Sequence, residues 1–308
     1  MRISPRLDGG AAVIAAASLL CGIGAANAQE LEPRAYSPSP IGTNFLVSGF
    51  SDTSGTVSLD PSLPITGVKS KINTYIFGYQ HAFDLLGRSA SAAIVAPYYS
   101  GELKGQLETQ NDRLTRSGLA DMRIRLAANL FGGPALTPAE FKRRYPHTAL
   151  GVSLMIVAPT GQYDSQRLTN ISSHRWAFKP EIGLSQPLGN WFAEAYAGAW
   201  VFTDNDDYFR GQVRSQDPIY TLEVHGGYTF RPGLWLAADA TYYMGGRTSI
   251  NGVPADDYQK SSRFGVTMSV PIAPGFAVKL AWSRWLSGRV AVHYQTVGVM
   301  LQYRWFNQ

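Results

Sequence analysis

The chain has 308 residues, a net charge of +5, 12% aromatic residues and one cysteine. Its mean hydropathy is near neutral, and after the N-terminus no apolar run reaches the roughly 20 residues that a helical span needs, which excludes a helical membrane protein. The same average leaves room for a membrane β-barrel, whose strands alternate lipid-facing and lumen-facing residues and so hide the apolar face.

In chain order, the first segment reads as a targeting signal. Arg2 and Arg6 are basic, residues 11–23 are apolar, and Ala26-Asn27-Ala28 offers a small-x-small cleavage site before Gln29. That order predicts a signal peptide over 1–28, cleaved after Ala28. An N-terminal anchor helix is the alternative, for which the apolar run is short. Cys21 lies inside this segment behind Leu20, not behind the small residue of a lipoprotein site. The mature chain is then free of thiols, which excludes disulfides and thiolate metal sites and suits an oxidising periplasm. Losing Arg2, Arg6 and Asp8 leaves it one charge less positive. The remaining cations are spread, with no basic cluster interleaved with aromatics, so nucleic acid is not expected as a partner.

Residues 29–42 carry Pro33, Pro38 and Pro40, which exclude a central strand. This segment is an extended N-terminal arm that lies in the periplasm or enters the barrel as a partial plug. From 43 to 308 the pattern has a period of two, and about twelve strands are expected. Their spans are 43–52, 69–83, 89–103, 118–131, 147–162, 175–187, 191–203, 218–230, 234–247, 260–271, 276–287 and 294–306. In the last, Val297, Val299, Leu301, Tyr303 and Trp305 share a face opposite Thr296, Gly298, Met300, Gln302 and Arg304. Tight Gly or Pro turns follow the second, sixth, eighth and tenth strands, and longer polar connections at 53–68, 104–117, 163–174, 204–217 and 248–259 alternate with them. Short periplasmic turns and long external loops alternate in this way. Segment 132–146 breaks the rule. There Thr137 suits a cap, Pro138 a first helical position and Glu140 a first turn, so a short periplasmic helix is expected.

A soluble β-sandwich would also alternate, but its polar faces tolerate charge freely. Here the apolar faces are continuous, the opposite faces mix charges with Gly and aromatics, and Trp176, Trp191, Trp200, Phe230, Tyr242, Tyr303, Trp305 and Phe306 gather near strand ends as interfacial girdles do. The expected fold is an all-β, antiparallel, up-and-down transmembrane barrel.

The predicted lumen face carries Asp121, Arg123, Arg125, Lys179, Glu181, Glu194, Glu223, His225, Asp239, Lys279 and Arg304. Two readings stand side by side: a salt-bridge web that fills the lumen, or a charged ring that selects a permeant solute. Phe192, Tyr196, Trp200 and Tyr243 either give an apolar solute a stacking path or pack against neighbours. Glu223 and His225 share a face with no serine marked out beside them, so no catalytic residue is assigned. The other histidines show no metal spacing, and no cofactor is expected. Asp204-Asn205-Asp206-Asp207 lacks the glycine and distal glutamate of an EF-hand loop and reads as a solvated acidic external loop.

Several runs resemble one family of outer-membrane barrels, the MetA-pathway of phenol degradation family. They are Arg-Ala-Tyr-Ser-Pro-Ser-Pro-Ile-Gly-Thr-Asn-Phe (34–45), Asp-Pro-Ser-Leu-Pro-Ile (60–65), Pro-Ala-Leu-Thr-Pro-Ala-Glu-Phe (134–141), Ala-Pro-Thr-Gly-Gln-Tyr (158–163), Arg-Trp-Ala-Phe-Lys-Pro-Glu-Ile-Gly (175–183), Phe-Thr-Asp-Asn-Asp-Asp (202–207) and Phe-Arg-Pro-Gly-Leu-Trp (230–235). The resemblance implies a transporter-type barrel linked to uptake of aromatic or other small hydrophobic compounds, and it transfers no site residues. The chain departs from such barrels at its end, where Asn307-Gln308 follow the aromatic Phe306.

The expected function is a passive outer-membrane channel for small solutes. A closed structural or binding barrel and a lipid-acting barrel enzyme are the alternatives. Expected partners are outer-membrane lipids and lipopolysaccharide, the barrel-assembly machinery and a small-molecule solute, with the oligomeric state left open.

Overall fold

The computed structural model describes residues 32–57, 65–107, 110–167, 169–287 and 291–307. The expected signal peptide, its expected cleavage site and the first residues of the arm lie outside them. The wall is built from β1 (Thr43–Val57), β2 (Ile65–Leu85), β3 (Arg88–Leu107), β4 (Gln110–Leu119), β5 (Met122–Phe131), β6 (Ala149–Ala158), β7 (Ala177–Leu188) and β8 (Trp191–Phe202). It continues through β11 (Ile219–Arg231), β12 (Leu234–Gly245), β15 (Gln259–Ala273), β16 (Phe276–Ser287) and β17 (Ala291–Phe306). Neighbours pair antiparallel in chain order, β4 and β5 share one position beside β3, and β17 returns to β1. The result is a closed barrel of 12 strand positions. Closure matters because an open edge in hydrocarbon would leave backbone N–H and C=O groups without partners.

At the seam, Thr43 faces Phe306. The residue after that aromatic is used: Asn307 N–H donates to the Gly42 carbonyl at 3.0 Å, and Asn44 Nδ2 donates to Asn307 Oδ1 at 2.8 Å. Asn307 therefore ties the last strand to the first.

The packing is inverted relative to a water-soluble domain. Leu222, Val224, Leu280 and Val297 are exposed on the outer face, whereas Lys179, Glu194, Glu223, His225 and Asp239 are buried inside. Each apolar side chain kept in hydrocarbon and out of water is worth about 1.5–3 kcal/mol. A one-residue slip would turn a whole strand's set into the lumen, so this pattern fixes the register. Among the described residues no helix is long and apolar enough to cross a membrane.

The short turns lie at one end, with the chain's two strand termini. At the β2–β3 turn Leu86 and Gly87 both have positive φ (54° and 79°), the conformation that a two-residue hairpin following the strand twist requires. At the same end a helix, α1 (Pro138–Arg143), starts from Thr137 in a reciprocal capping box with Glu140.

Three expectations need correction. First, the long connections at 53–68 and 104–117 are largely strand, because β1–β2 and β3–β4 extend beyond the apolar band. The sequence there is mostly polar, so the alternation that marks a strand is weak although the hydrogen-bond ladder continues. Connections 204–217 and 248–259 also build a small sheet from β9 (Asn205–Tyr208), β10 (Gln212–Gln216), β13 (Thr248–Ile250) and β14 (Val253–Pro254). Second, the fourth strand breaks at Ala120-Asp121, beside Pro97 of β3, which has no N–H to extend the ladder. The Ala120 N–H donates to the Pro97 carbonyl at 2.9 Å, and the Gln162 N–H donates to the Leu119 carbonyl at 2.9 Å. Third, Trp200 faces the lumen, 4% exposed, and is not a girdle residue; its ring lies 5.9 Å from Lys179 Nζ.

Candidate functional site: the lumen

The arm is inside the barrel. Its backbone leaves the periplasmic end through three clasps: Gly42 N–H to the Ala82 carbonyl (2.8 Å), Ile41 N–H to the Leu136 carbonyl (2.9 Å) and Ser89 Oγ to the Ser39 carbonyl (3.0 Å). Deeper in, Tyr36 is 3% exposed. It sits where a side chain is missing from two strands, since a Cβ on Gly151 or Gly183 would come within 2.4 or 2.1 Å of its ring. Its hydroxyl reaches Ser153 Oγ and Glu181 Oε1, both at 2.8 Å, and Asn129 Nδ2 donates to its carbonyl at 2.9 Å. Arg34 adopts φ 71°, a left-handed conformation that costs a residue with a Cβ roughly 1–2 kcal/mol. The turn aims its N–H at Glu194 Oε2 (2.6 Å) and its guanidinium at the Phe192 and Trp235 rings (4.7 and 5.7 Å).

Facing the arm, β7, β8, β11 and β12 carry a web of charges. Lys179 Nζ lies 2.7 Å from both Glu181 and Glu223. His225 Nδ1 meets Asp239 at 2.8 Å, and its Nε2 faces Glu223 at 4.0 Å. Thr267 Oγ1 donates to Asp239 at 2.8 Å, and Ser185 Oγ and Tyr196 OH each donate to Glu194 at 2.6 Å. A buried carboxylate is tolerated when its lone pairs are filled in this way. Both nitrogens of His225 are turned toward carboxylates, as in an ion web.

Of the eleven sequence candidates, Lys179, Glu181, Glu194, Glu223, His225 and Asp239 come together in this wall. Asp121 does not join them. It sits at the break in the fourth strand and accepts from Gly161 N–H (3.0 Å), Ser172 Oγ (2.6 Å) and both the N–H and Oγ of Ser173 (3.0 Å each), so it anchors the inward-folded loop between β6 and β7. Arg123 donates to Tyr99 OH at 3.1 Å, and the Arg125 guanidinium lies 5.2 Å from the Tyr36 ring centre. Lys279 and Arg304 lie on the other side of the barrel. Arg263, absent from the candidates, is 3% exposed and donates to Ser283 Oγ. Its strand alternates Phe264, Val266, Met268 and Val270 outward, so the signal for it was present.

Between the arm and the wall of β15–β17 and β1–β3 lies a cavity of about 550 Å³. Its lining runs from Ser51 and Thr296 to the periplasmic turns at Gly233 and Gly275. Among the described residues no group of three or more His, Cys, Asp or Glu is placed to hold a metal ion.

Closed strand order, an apolar outer face and a charged interior entered by the chain's own arm define an outer-membrane β-barrel with a constricted lumen. The chain belongs to the family described as "Putative MetA-pathway of phenol degradation", whose model matches residues 47–303. Among solved structures it is similar to an outer-membrane channel of Pseudomonas putida F1, at 21% identity and a TM-score of 0.75 over 90% of this chain and 100% of that one. The beta domain of the Bordetella autotransporter Brka matches at 12% identity and a TM-score of 0.54, over 86% of this chain and 100% of that one. The transport unit of the autotransporter AIDA-I from Escherichia coli matches at 9% and 0.51, over 94% and 98%. These likenesses bear on the fold. No curated protein matches.

Proposed function

We propose that this barrel is a passive outer-membrane channel for small hydrophobic or aromatic solutes, with the arm as its constriction. The observation that carries the reading is the cavity of about 550 Å³ beside the arm, which reaches the periplasmic turns. A lumen built only to be filled would not keep such a space, because packed interiors leave few voids larger than a water molecule. In this reading residues 1–28 direct export and are cleaved after Ala28. Lipids and lipopolysaccharide surround the outer face, and the assembly machinery acts on the final strand. His225, with carboxylates at both nitrogens, favours a non-enzymatic role.

The second reading is a closed barrel, and the web of Lys179, Glu223 and Asp239 together with the seated Tyr36 favours it. The deciding experiment is solute entry into vesicles holding the full chain, with graded aromatic and non-aromatic solutes. Entry that depends on solute identity is expected, whereas vesicles as tight as protein-free ones would sink the channel reading. Absence of lipid turnover in detergent with calcium is expected in parallel.

A further inference from the structure

The cavity has a charge sign. Around it stand Arg34, Arg123, Arg125, Arg263, Lys279 and Arg304, and among the described lining residues Glu32 is the one carboxylate. The acidic groups of the lumen lie elsewhere, tied up in the wall of β7–β12. Among the described residues Lys279 and Arg304 make no ion pair, and they line the cavity from adjacent strands at successive heights, Lys279 opposite Met300 and Arg304 four residues further along β17, with its guanidinium 5.5 Å from the Phe306 ring centre. Arg125 stands on the far side of the cavity, at the edge of the arm. Between these cations the surface sets small and apolar groups such as Ala93, Ala127, Ala281 and Met300 beside neutral polar ones such as Gln80 and Gln302.

A low-dielectric wall focuses the field of its charges into the space it encloses, and rings of Arg and Lys select anions in pores. We infer that the cavity takes an amphipathic anion: an apolar or aromatic body carrying one carboxylate, its ring against the alanine and methionine surface and its charge at Lys279 and Arg304. This rests on the channel reading above and names the chemical class that the channel prefers. A neutral hydrocarbon of the same size would fill the apolar surface and leave both cations without a counter-charge.

The test uses the full chain in nanodiscs, with empty nanodiscs as the blank. Benzoate and its neutral counterpart benzyl alcohol are titrated at pH 7 by calorimetry. Benzoate is expected to bind at least tenfold more tightly, and the double variant K279Q/R304Q to bring the two within about twofold. That variant's fold is checked by its heat-modifiable migration. The same chain in a planar bilayer under a KCl gradient is expected to give an anion-selective reversal potential, shifted toward zero in the variant. Equal binding of the two probes by the native chain, or a preference that survives K279Q/R304Q, overturns the inference. Either result leaves the channel reading standing if vesicles still admit solutes. Vesicles that admit nothing, with the benzoate preference intact, overturn the channel reading and keep the ligand class.

Discussion

Two halves of one lumen solve the problem of an interior in opposite ways. The wall of β7–β12 is filled: six charged or titratable side chains are paired with each other or with hydroxyls, and Tyr36 of the arm is seated against them. The wall of β15–β17 and β1–β3 is thinly furnished, with small residues and cations around an empty space. The difference shows that twelve strands enclose more volume than side chains alone fill, whereas eight strands leave just enough room for them. The excess is divided between a plug supplied by the chain and a cavity left for something else. In the proposed channel the filled half gives stability and the open half gives access.

The comparison breaks most visibly if the plug is removed. Deleting residues 32–40 should widen the lumen on the filled side, where nothing else replaces Tyr36. Single-channel conductance in planar bilayers is expected to rise roughly fivefold or more; an unchanged conductance would mean that the passage never ran beside the arm. The next effect separates the two walls by stability. Lys179→Met leaves Glu181 and Glu223 facing each other without the cation that lies 2.7 Å from each. Removing one partner of a buried pair costs about 3–5 kcal/mol, read as a lower midpoint in urea unfolding from micelles. Lys279→Met on the open wall should stay within about 0.5 kcal/mol of the native chain. Equal losses at both lysines would erase the distinction between a web and a lining.

Much of the open half was legible in the sequence, and much of the filled half was not. Period-two alternation placed Lys279 and Arg304 in the lumen and Val297, Val299, Leu301 and Tyr303 in lipid, because hydrocarbon on one face enforces a strict pattern. The same rule located Lys179, Glu181, Glu223, His225 and Asp239. It could not say that they meet, because register between strands far apart in sequence is decided by closure of the whole barrel. The partners of Asp121 were not legible for a related reason. Its parity is that of a lumen residue, but Pro97 interrupts the ladder beside it and a loop some forty residues later comes in to bind it. The arm lacks periodicity altogether, so its destination is invisible locally. The trace it left is on its receptor: Gly151 and Gly183, small residues at lumen positions of neighbouring strands, where a missing side chain signals close approach of another group.

Those two glycines give a milder way to unseat the plug. Gly183→Ala would place a Cβ 2.1 Å from the Tyr36 ring, and Gly151→Ala would place one at 2.4 Å. Neither position carries a positive φ, so the effect acts through crowding and not through backbone strain. Overpacking of this kind costs about 1–3 kcal/mol. Tyr36 and the arm are expected to give way before the two paired strands do. Each variant should raise conductance by less than the deletion does, with the barrel's unfolding midpoint little changed. A large fall in the midpoint without added conductance would show that the ring holds the wall and not the passage.

The smallest effect concerns the other end of the arm, and it asks whether the plug is held by its notch or by its exit. At the exit, the Ile41 N–H donates to the Leu136 carbonyl, one residue before the helix cap at Thr137. The Glu140 carboxylate accepts from the Thr137 N–H and hydroxyl, both at 2.8 Å, and these bonds hold its pKa below the ordinary carboxylate value. A carboxyl depressed in the folded state adds stability that is complete above its unfolded pKa and is lost as pH falls through the folded one. The cap is therefore intact at neutral pH and weakens below about pH 4. Amide exchange, corrected for its intrinsic pH dependence, should quicken at Phe141, whose N–H bonds to the Thr137 carbonyl, as pH drops through that range. Glu140→Gln should remove the pH dependence. If Ile41 quickens together with Phe141, the helix segment is the latch that keeps the arm in the barrel. If Ile41 stays protected while Phe141 opens, the arm is held from within, by Tyr36 between the two glycines, and the filled half of the lumen keeps its plug without help from the periplasmic side.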